Sequence, residues 1–189
     1  MILMDAVHDA MNIQEQHFYD IPAQDLIEIF LDESYIHARC DMPDIESYTI
    51  DHYGEKDGRL VISLTAEVIV KLPDQIPKVL KKLVRDRHTM TSTVEWELEG
   101  KDTRVGHYRF AMSGVPAEIQ GTHSIKPHGT NGSVNQLDIQ VKSAIPLLGK
   151  TLCKFIGSEV KTGLTDEYDA TLDYINKFYH DGIVKTVNS

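Results

Sequence analysis

Apolar and polar residues alternate with a period of two through most of the middle of this 189-residue chain, and recur every three to four residues towards both ends. The first pattern marks half-buried strands and the second amphipathic helices. "EQHFYDI", Glu15 to Ile21, predicts an opening strand. "PAQDLIEIFLDESYIHARC" predicts helix from Pro22, which suits a first helical turn. Leu26, Ile27, Phe30 and Leu31 form its apolar stripe, which resumes at Tyr35 and Ile36 after a break near Asp32 to Ser34.

"SYTIDHYGEKDGRLVISLTAEVIVKL" and "TMTSTVEWELEGKDTRVGHYRFAMSG" each place two alternating segments around a Gly- and Asp-containing turn, which predicts two hairpins. Between them "PDQIPKVLKKLVRDRH", residues 73 to 88, predicts a short helix with Ile76, Leu80, Leu83 and Val84 on one side. "PAEIQGTHSIKP" and "SVNQLDIQVKSAI" add two strands across the loop "HGTNG". The chain then runs from Ser143 to Tyr179 as one long helix, with Leu148, Leu152, Phe155, Ile156, Val160, Leu164, Tyr168, Leu172 and Ile175 at helical spacing. Gly149, Gly157 and Gly163 interrupt it at about 1 kcal/mol each relative to Ala. They imply close backbone approach, a kink, or space kept open; a helix that starts only after Gly157 or Gly163 is the other reading.

Six consecutive antiparallel strands need at least one covered face, and the final helix is the element long enough to cover it. The expected fold is therefore α+β. One domain is expected over residues 13–182, with residues 1–12 as a frayed arm and 183–189 as a tail.

Composition narrows the classes of function. A net charge of -10, from 19 Lys plus Arg against 29 Asp plus Glu, repels a phosphate backbone, so nucleic acid is not an expected partner. Cys40 and Cys153 form neither a CxxC nor a Cys/His pattern, which fits a reducing cytoplasm. The N-terminus lacks the basic and apolar regions of a secretory signal, and no apolar run reaches the roughly 18 residues of a membrane span. The nine histidines include no HxH or HExxH pair, and neither GxSxG nor a P-loop occurs, so no metal, cofactor or catalytic residue is assigned. Against the acidic balance, Lys78, Lys81, Lys82 and Arg85 form a basic amphipathic segment together with Arg87. It reads either as a solvated helix face or as a docking site for a partner or an anionic membrane surface.

The stretches "KLVRDRHTMTSTVEWEL", "GVPAEIQGTHSIKP" and "VKSAIPLLGKTLCKFIGSEV" resemble the START-like (SRPBCC, helix-grip) superfamily, and within it a bacterial branch, domain of unknown function 2505. The resemblance covers about residues 13 to 180. It implies a curved sheet of seven strands wrapped around the C-terminal helix, with an elongated apolar cavity between them. The ligand it implies is a lipid, an isoprenoid or a polyketide-like molecule.

The strand alternation itself supplies candidates for such a wall. One phase carries Leu60, Ile62, Leu64 and Ala66; Met90, Val94, Trp96 and Leu98; Tyr108, Phe110 and Met112; Ile119, Gly121, His123 and Ile125; and Leu137, Ile139 and Val141. The opposite phase is polar. Trp96, Tyr108, Phe110, Met112, Ile119 and His123, with Leu152 and Phe155 of the last helix, are the candidate ligand-binding residues, and the same positions equally suit a close-packed core. His123 suits a polar ligand group or acid–base chemistry, or else satisfies itself on the backbone or a Tyr hydroxyl. Three readings follow. The first is a carrier or sensor of an apolar molecule. The second is a cyclase- or hydrolase-like enzyme using His123, with or without Tyr108. The third is an interaction module of the chaperone-assisting kind found among relatives of this fold.

Overall fold

The chain is described by a computed structural model over residues 9–70, 78–100 and 102–179. The alternating stretches form β1 (Asp9–Tyr19), β2 (Ile45–Lys56), β3 (Arg59–Ile69), β4 (Arg87–Glu97), β5 (Arg104–Met112), β6 (Glu118–His128) and β7 (Gly132–Ser143). All pairings are antiparallel, and the sheet order is β1-β7-β6-β5-β4-β3-β2. Between the edge strands β1 and β2 run α1 (Ala23–Leu31) and α2 (Glu33–Cys40); α3 (Lys78–Leu83) precedes β4, and α4 (Gly149–Tyr174) follows β7. The curved sheet wraps around α4, the α+β helix-grip arrangement expected from the sequence.

Local chemistry accounts for the breaks. Asp32 is extended, ends α1 and caps α2 by accepting the Ser34 amide at 2.7 Å. Asp57 and Gly58 both take positive φ, 52° and 74°, as the tight turn between β2 and β3 requires. The first strand begins at Asp9 instead of Glu15, because Asp9–Asn12 pair with residues 140–143 of β7. Met11, within the stretch expected as an arm, packs into the interior with Ile13. The helix expected over residues 73–88 is Lys78–Leu83 among the described residues, and Val84, just past its end, is buried; Ile76 lies outside them.

The final helix is continuous from Gly149 and closes in a π-helical turn, Ile175–Tyr179. It packs chiefly against β1, β7 and α2. Two of its glycines explain that placement. A Cβ on Gly149 would lie 2.8 Å from the Asp9 carboxylate and 3.1 Å from the Ser143 carbonyl, and one on Gly157 would overlap the Met11 thioether. Gly163 has nothing within 4 Å and serves no close approach. Two further glycines lie mid-strand and seat rings. A Cβ on Gly106 would stand 2.7 Å from the Trp96 ring, and one on Gly121 would stand 2.6 Å from the Tyr108 hydroxyl and overlap the Asp138 carbonyl.

The buried side chains form two clusters. One joins Ile21, Leu26, Ile29, Phe30, Tyr35, Trp96, Ile125 and Tyr174; the other joins Ile13, Tyr108, Ile119, Ile139, Val141, Leu152, Ile156 and Leu164.

These contacts separate the glycines experimentally. Gly121→Ala, which meets rigid backbone, is expected to lower unfolding free energy by about 2 kcal/mol or more. Gly163→Ala, at an open helical position, is expected to raise it by up to about 1 kcal/mol. Urea denaturation of both variants checks the pair.

Candidate functional site

Where each element passes between the two clusters, its inward face carries a polar residue. On β1, His17 lies between Ile13 and Tyr19; on β6, His123 lies between Ile119 and Ile125; on β7, Asn135 precedes Leu137 by two. On α4, Glu167 and Thr171 lie between Leu164 and Tyr174, and α2 adds Arg39. Strand period and helix period thus bring one polar seam across an otherwise apolar interior.

The seam is specifically bonded. Arg39 Nη1 lies 3.3 Å from Glu167 Oε1, with the two side chains 25% and 19% exposed. Thr171 Oγ1 donates to the Glu167 carbonyl oxygen at 2.7 Å, and the Tyr35 hydroxyl, 2.7 Å away, donates to that same Oγ1. The His123 ring is 4.9 Å from that of Tyr108, 5.8 Å from Trp96 and 6.3 Å from Phe30, and so touches both clusters. Asn135 Nδ2 donates to His123 Nδ1 at 3.2 Å, which puts the ring proton on Nε2. Among the described residues, Tyr108 Oη, Asn135 Oδ1, Ser133 Oγ and Arg104 Nε are buried without a hydrogen-bond partner.

Burial dominates the electrostatics. It lowers the His123 pKa to about 4, with Glu167 acting against the shift and Arg39 with it. His17 is lowered by the same cause, opposed by Glu167 and Glu15. Burial likewise raises the Tyr19, Tyr35 and Tyr108 hydroxyls, with Glu167 adding to each. Near neutral pH the seam therefore presents neutral imidazoles, intact phenols and one ion pair.

Of the residues picked out by sequence, Trp96, Tyr108 and His123 meet at this seam. The Phe110 ring lies tilted against that of Tyr108 at 5.2 Å, and Met112, Ile119 and Phe155 pack in or against the second cluster. Leu152 is fully buried in that same cluster. Arg39, Glu167, Asn135, His17 and Thr171 were not picked out. A signal for two of them existed: Asn135 shares the inward phase of Leu137 and Ile139, and Glu167 follows Leu164 by three on the apolar stripe. Because α4 leans towards β1, β7 and α2, the inner faces of β3 to β5 keep Leu60, Met90, Val94, Phe110 and Met112 only partly buried.

Three grooves lie elsewhere. One of about 430 Å³ is lined by Phe18, Asp20, His128 and Asn131, and one of about 370 Å³, on the polar sheet face, by Thr91, Arg109, Glu118 and Gln120 together with Phe110 and Ile119. The third, about 290 Å³, is lined by Lys82, Arg85, Arg87, His88, Ser113 and Gly114. Lys78, Lys81, Lys82 and Arg85 are all exposed at this end.

A histidine held near pKa 4 when folded, against 6.5 unfolded, is neutral in the native state. The unfolded chain takes up the proton first, so stability is lost as pH falls from about 6.5 to about 4. The loss due to His123 is on the order of 3 kcal/mol. His123→Gln is expected to flatten that part of the profile when urea midpoints are compared near pH 7 and pH 4.5, leaving the smaller contribution of His17.

The fold recurs in solved structures of low sequence identity. The Zhui aromatase/cyclase from Streptomyces sp. R1128 matches with TM-score 0.58 at 13% identity, over 96% of this chain and 99% of that one. Norcoclaurine synthase from Thalictrum flavum matches with TM-score 0.59 at 13% identity, over 94% of each chain. Human STARD10 matches with TM-score 0.56 at 14% identity, over 93% of this chain and 68% of that one. No curated protein matches the sequence. The family model described as "Protein of unknown function (DUF2505)" matches residues 14–175, and the chain belongs to that family.

Proposed function

We propose that the chain binds and carries, or senses, a hydrophobic small molecule between α4 and the inner faces of β3 to β5. The observation that carries this reading is the offset of α4, which leaves Leu60, Met90, Val94, Phe110 and Met112 incompletely covered on the face that should be driest. Covering apolar surface gains about 25 cal/mol per Å², so an apolar guest has a driving force there. The norcoclaurine synthase structure holds dopamine and hydroxybenzaldehyde, which supports small aromatic guests as well as lipids and isoprenoids. The reading is of binding without turnover: His123 is held neutral and its Nδ1 is taken by Asn135.

One end of the fold suits exchange of the guest at an anionic membrane surface. Leu147 is 100% exposed and takes φ 65°, an uncommon conformation for a leucine. Its loop adjoins the β5–β6 loop through a 2.9 Å bond from Ser143 Oγ to the Pro116 carbonyl. The β5–β6 loop in turn meets the basic segment where His88 Nδ1 lies 2.8 Å from the Ser113 carbonyl. Val84 and Val115 bury into the same cluster as Leu152, so an apolar tip and Lys78, Lys81, Lys82 and Arg85 share this end. Each basic residue near an anionic surface contributes about 1 kcal/mol.

Native mass spectrometry of protein purified from its own host is expected to show a stoichiometric apolar adduct. An empty protein that takes up no fatty acid, isoprenoid or aromatic polyketide would overturn the carrier reading. In sedimentation with vesicles, binding is expected to phosphatidylglycerol but not to phosphatidylcholine. Leu147→Ser together with Lys81→Glu should reduce it at least about tenfold.

A further inference from the structure

We infer that the interior site selects a guest whose polar end is an uncharged oxygen, a hydroxyl or a carbonyl, and rejects carboxylates and phosphates. The inference rests on the proposal that the space holds an apolar molecule, and it names the chemistry of that molecule's polar end.

The groups left to recognise that end are neutral. Tyr108 Oη and Asn135 Oδ1 lack partners among the described residues, on side chains of residues 2% and 1% exposed. Both side chains contact the His123 ring, whose Nε2–H is the nitrogen not used by Asn135. An incoming hydroxyl can donate to Asn135 Oδ1 while accepting from Tyr108 or His123, and a carbonyl can accept from the last two. Atoms left unpaired in the core weaken the fold, so a guest that pairs them recovers stability that the empty protein lacks.

A carboxylate meets the opposite conditions. It has no proton for Asn135 Oδ1, and the seam's own cation is committed. Arg39 is paired with Glu167, whose own negative charge faces the same space, and Lys161 is paired with Glu15 at 3.7 Å. Arg104, on the inward phase of β5, lies a row further along opposite Ile125; its Nη1 donates to the Glu97 carbonyl at 2.8 Å, while its buried Nε has no partner among the described residues and aims at no atom of the seam named above. His123 and His17 are held neutral by burial and supply no positive charge. Desolvating an anion without a counter-charge costs far more than desolvating a hydroxyl.

The test uses the full chain and Trp96, its single tryptophan, which lies 5.8 Å from the His123 ring. Dodecanol, dodecanal and dodecanoate are titrated near neutral pH by Trp96 emission, and naphthol and naphthoate by calorimetry. The uncharged member of each set is expected to bind at least about tenfold tighter. Tyr108→Phe is expected to weaken dodecanol about tenfold, leave dodecanoate unchanged, and raise the Tm of the ligand-free protein by removing an unpaired hydroxyl. Equal or tighter binding of the carboxylates, or unchanged dodecanol affinity in the variant, overturns the selectivity while leaving the carrier reading intact. No response to any of the five probes overturns the carrier reading itself.

Discussion

A buried polar group must find a partner, and in this fold that requirement runs straight through the interior. His123, Asn135, Arg39, Glu167 and Thr171 lie where a simpler α+β domain would place aliphatic side chains. Their bonds to one another hold the seam together: the ion pair joins α2 to α4, Tyr35 and Thr171 join them again, and Asn135 ties β7 to β6. The arrangement splits the core into two apolar clusters and fixes how α2 and α4 sit on the sheet. Replacement of such a seam by well-packed aliphatic residues is often neutral or stabilising in other proteins, so stability alone is a weak reason for its presence.

The position of α4 follows from a second constraint, the space its glycines leave. Gly149 and Gly157 bring the helix onto β1 and the end of β7, where Asp9, Ser143 and Met11 fill the room that a Cβ would take. Drawing the helix to that side withdraws it from β3 to β5. Gly106 and Gly121 then allow the Trp96 and Tyr108 rings to lie against the strands, which shapes the wall opposite the helix. Four small residues thereby decide where the interior is dense and where it is loose.

The partnered part of the seam and its unpartnered part have different roles. Arg39 with Glu167 and Tyr35 with Thr171 are satisfied and rigidify the frame. Tyr108 Oη and Asn135 Oδ1 are unsatisfied among the described residues and sit beside a neutral imidazole. A protein tolerates that cost where the surrounding fold is stable enough to hold it, and such places concentrate at binding sites.

The sequence by itself determined the elements and their order. Strict alternation over the two hairpins and the last two strands, and the sustained stripe from Leu148 to Ile175, left little choice of secondary structure, because side-chain direction follows directly from backbone period. The same rule put Trp96, Tyr108 and His123 on one face. What tertiary structure decided was everything that depends on which face meets which. Arg39 and Glu167 belong to separate helices far apart in the chain and become a pair only when α2 crosses α4. Gly157 reads as an interruption of the last helix and becomes the point where that helix closes on Met11. Period is a local property of the chain, whereas pairing and packing are set by residues more than a hundred positions apart.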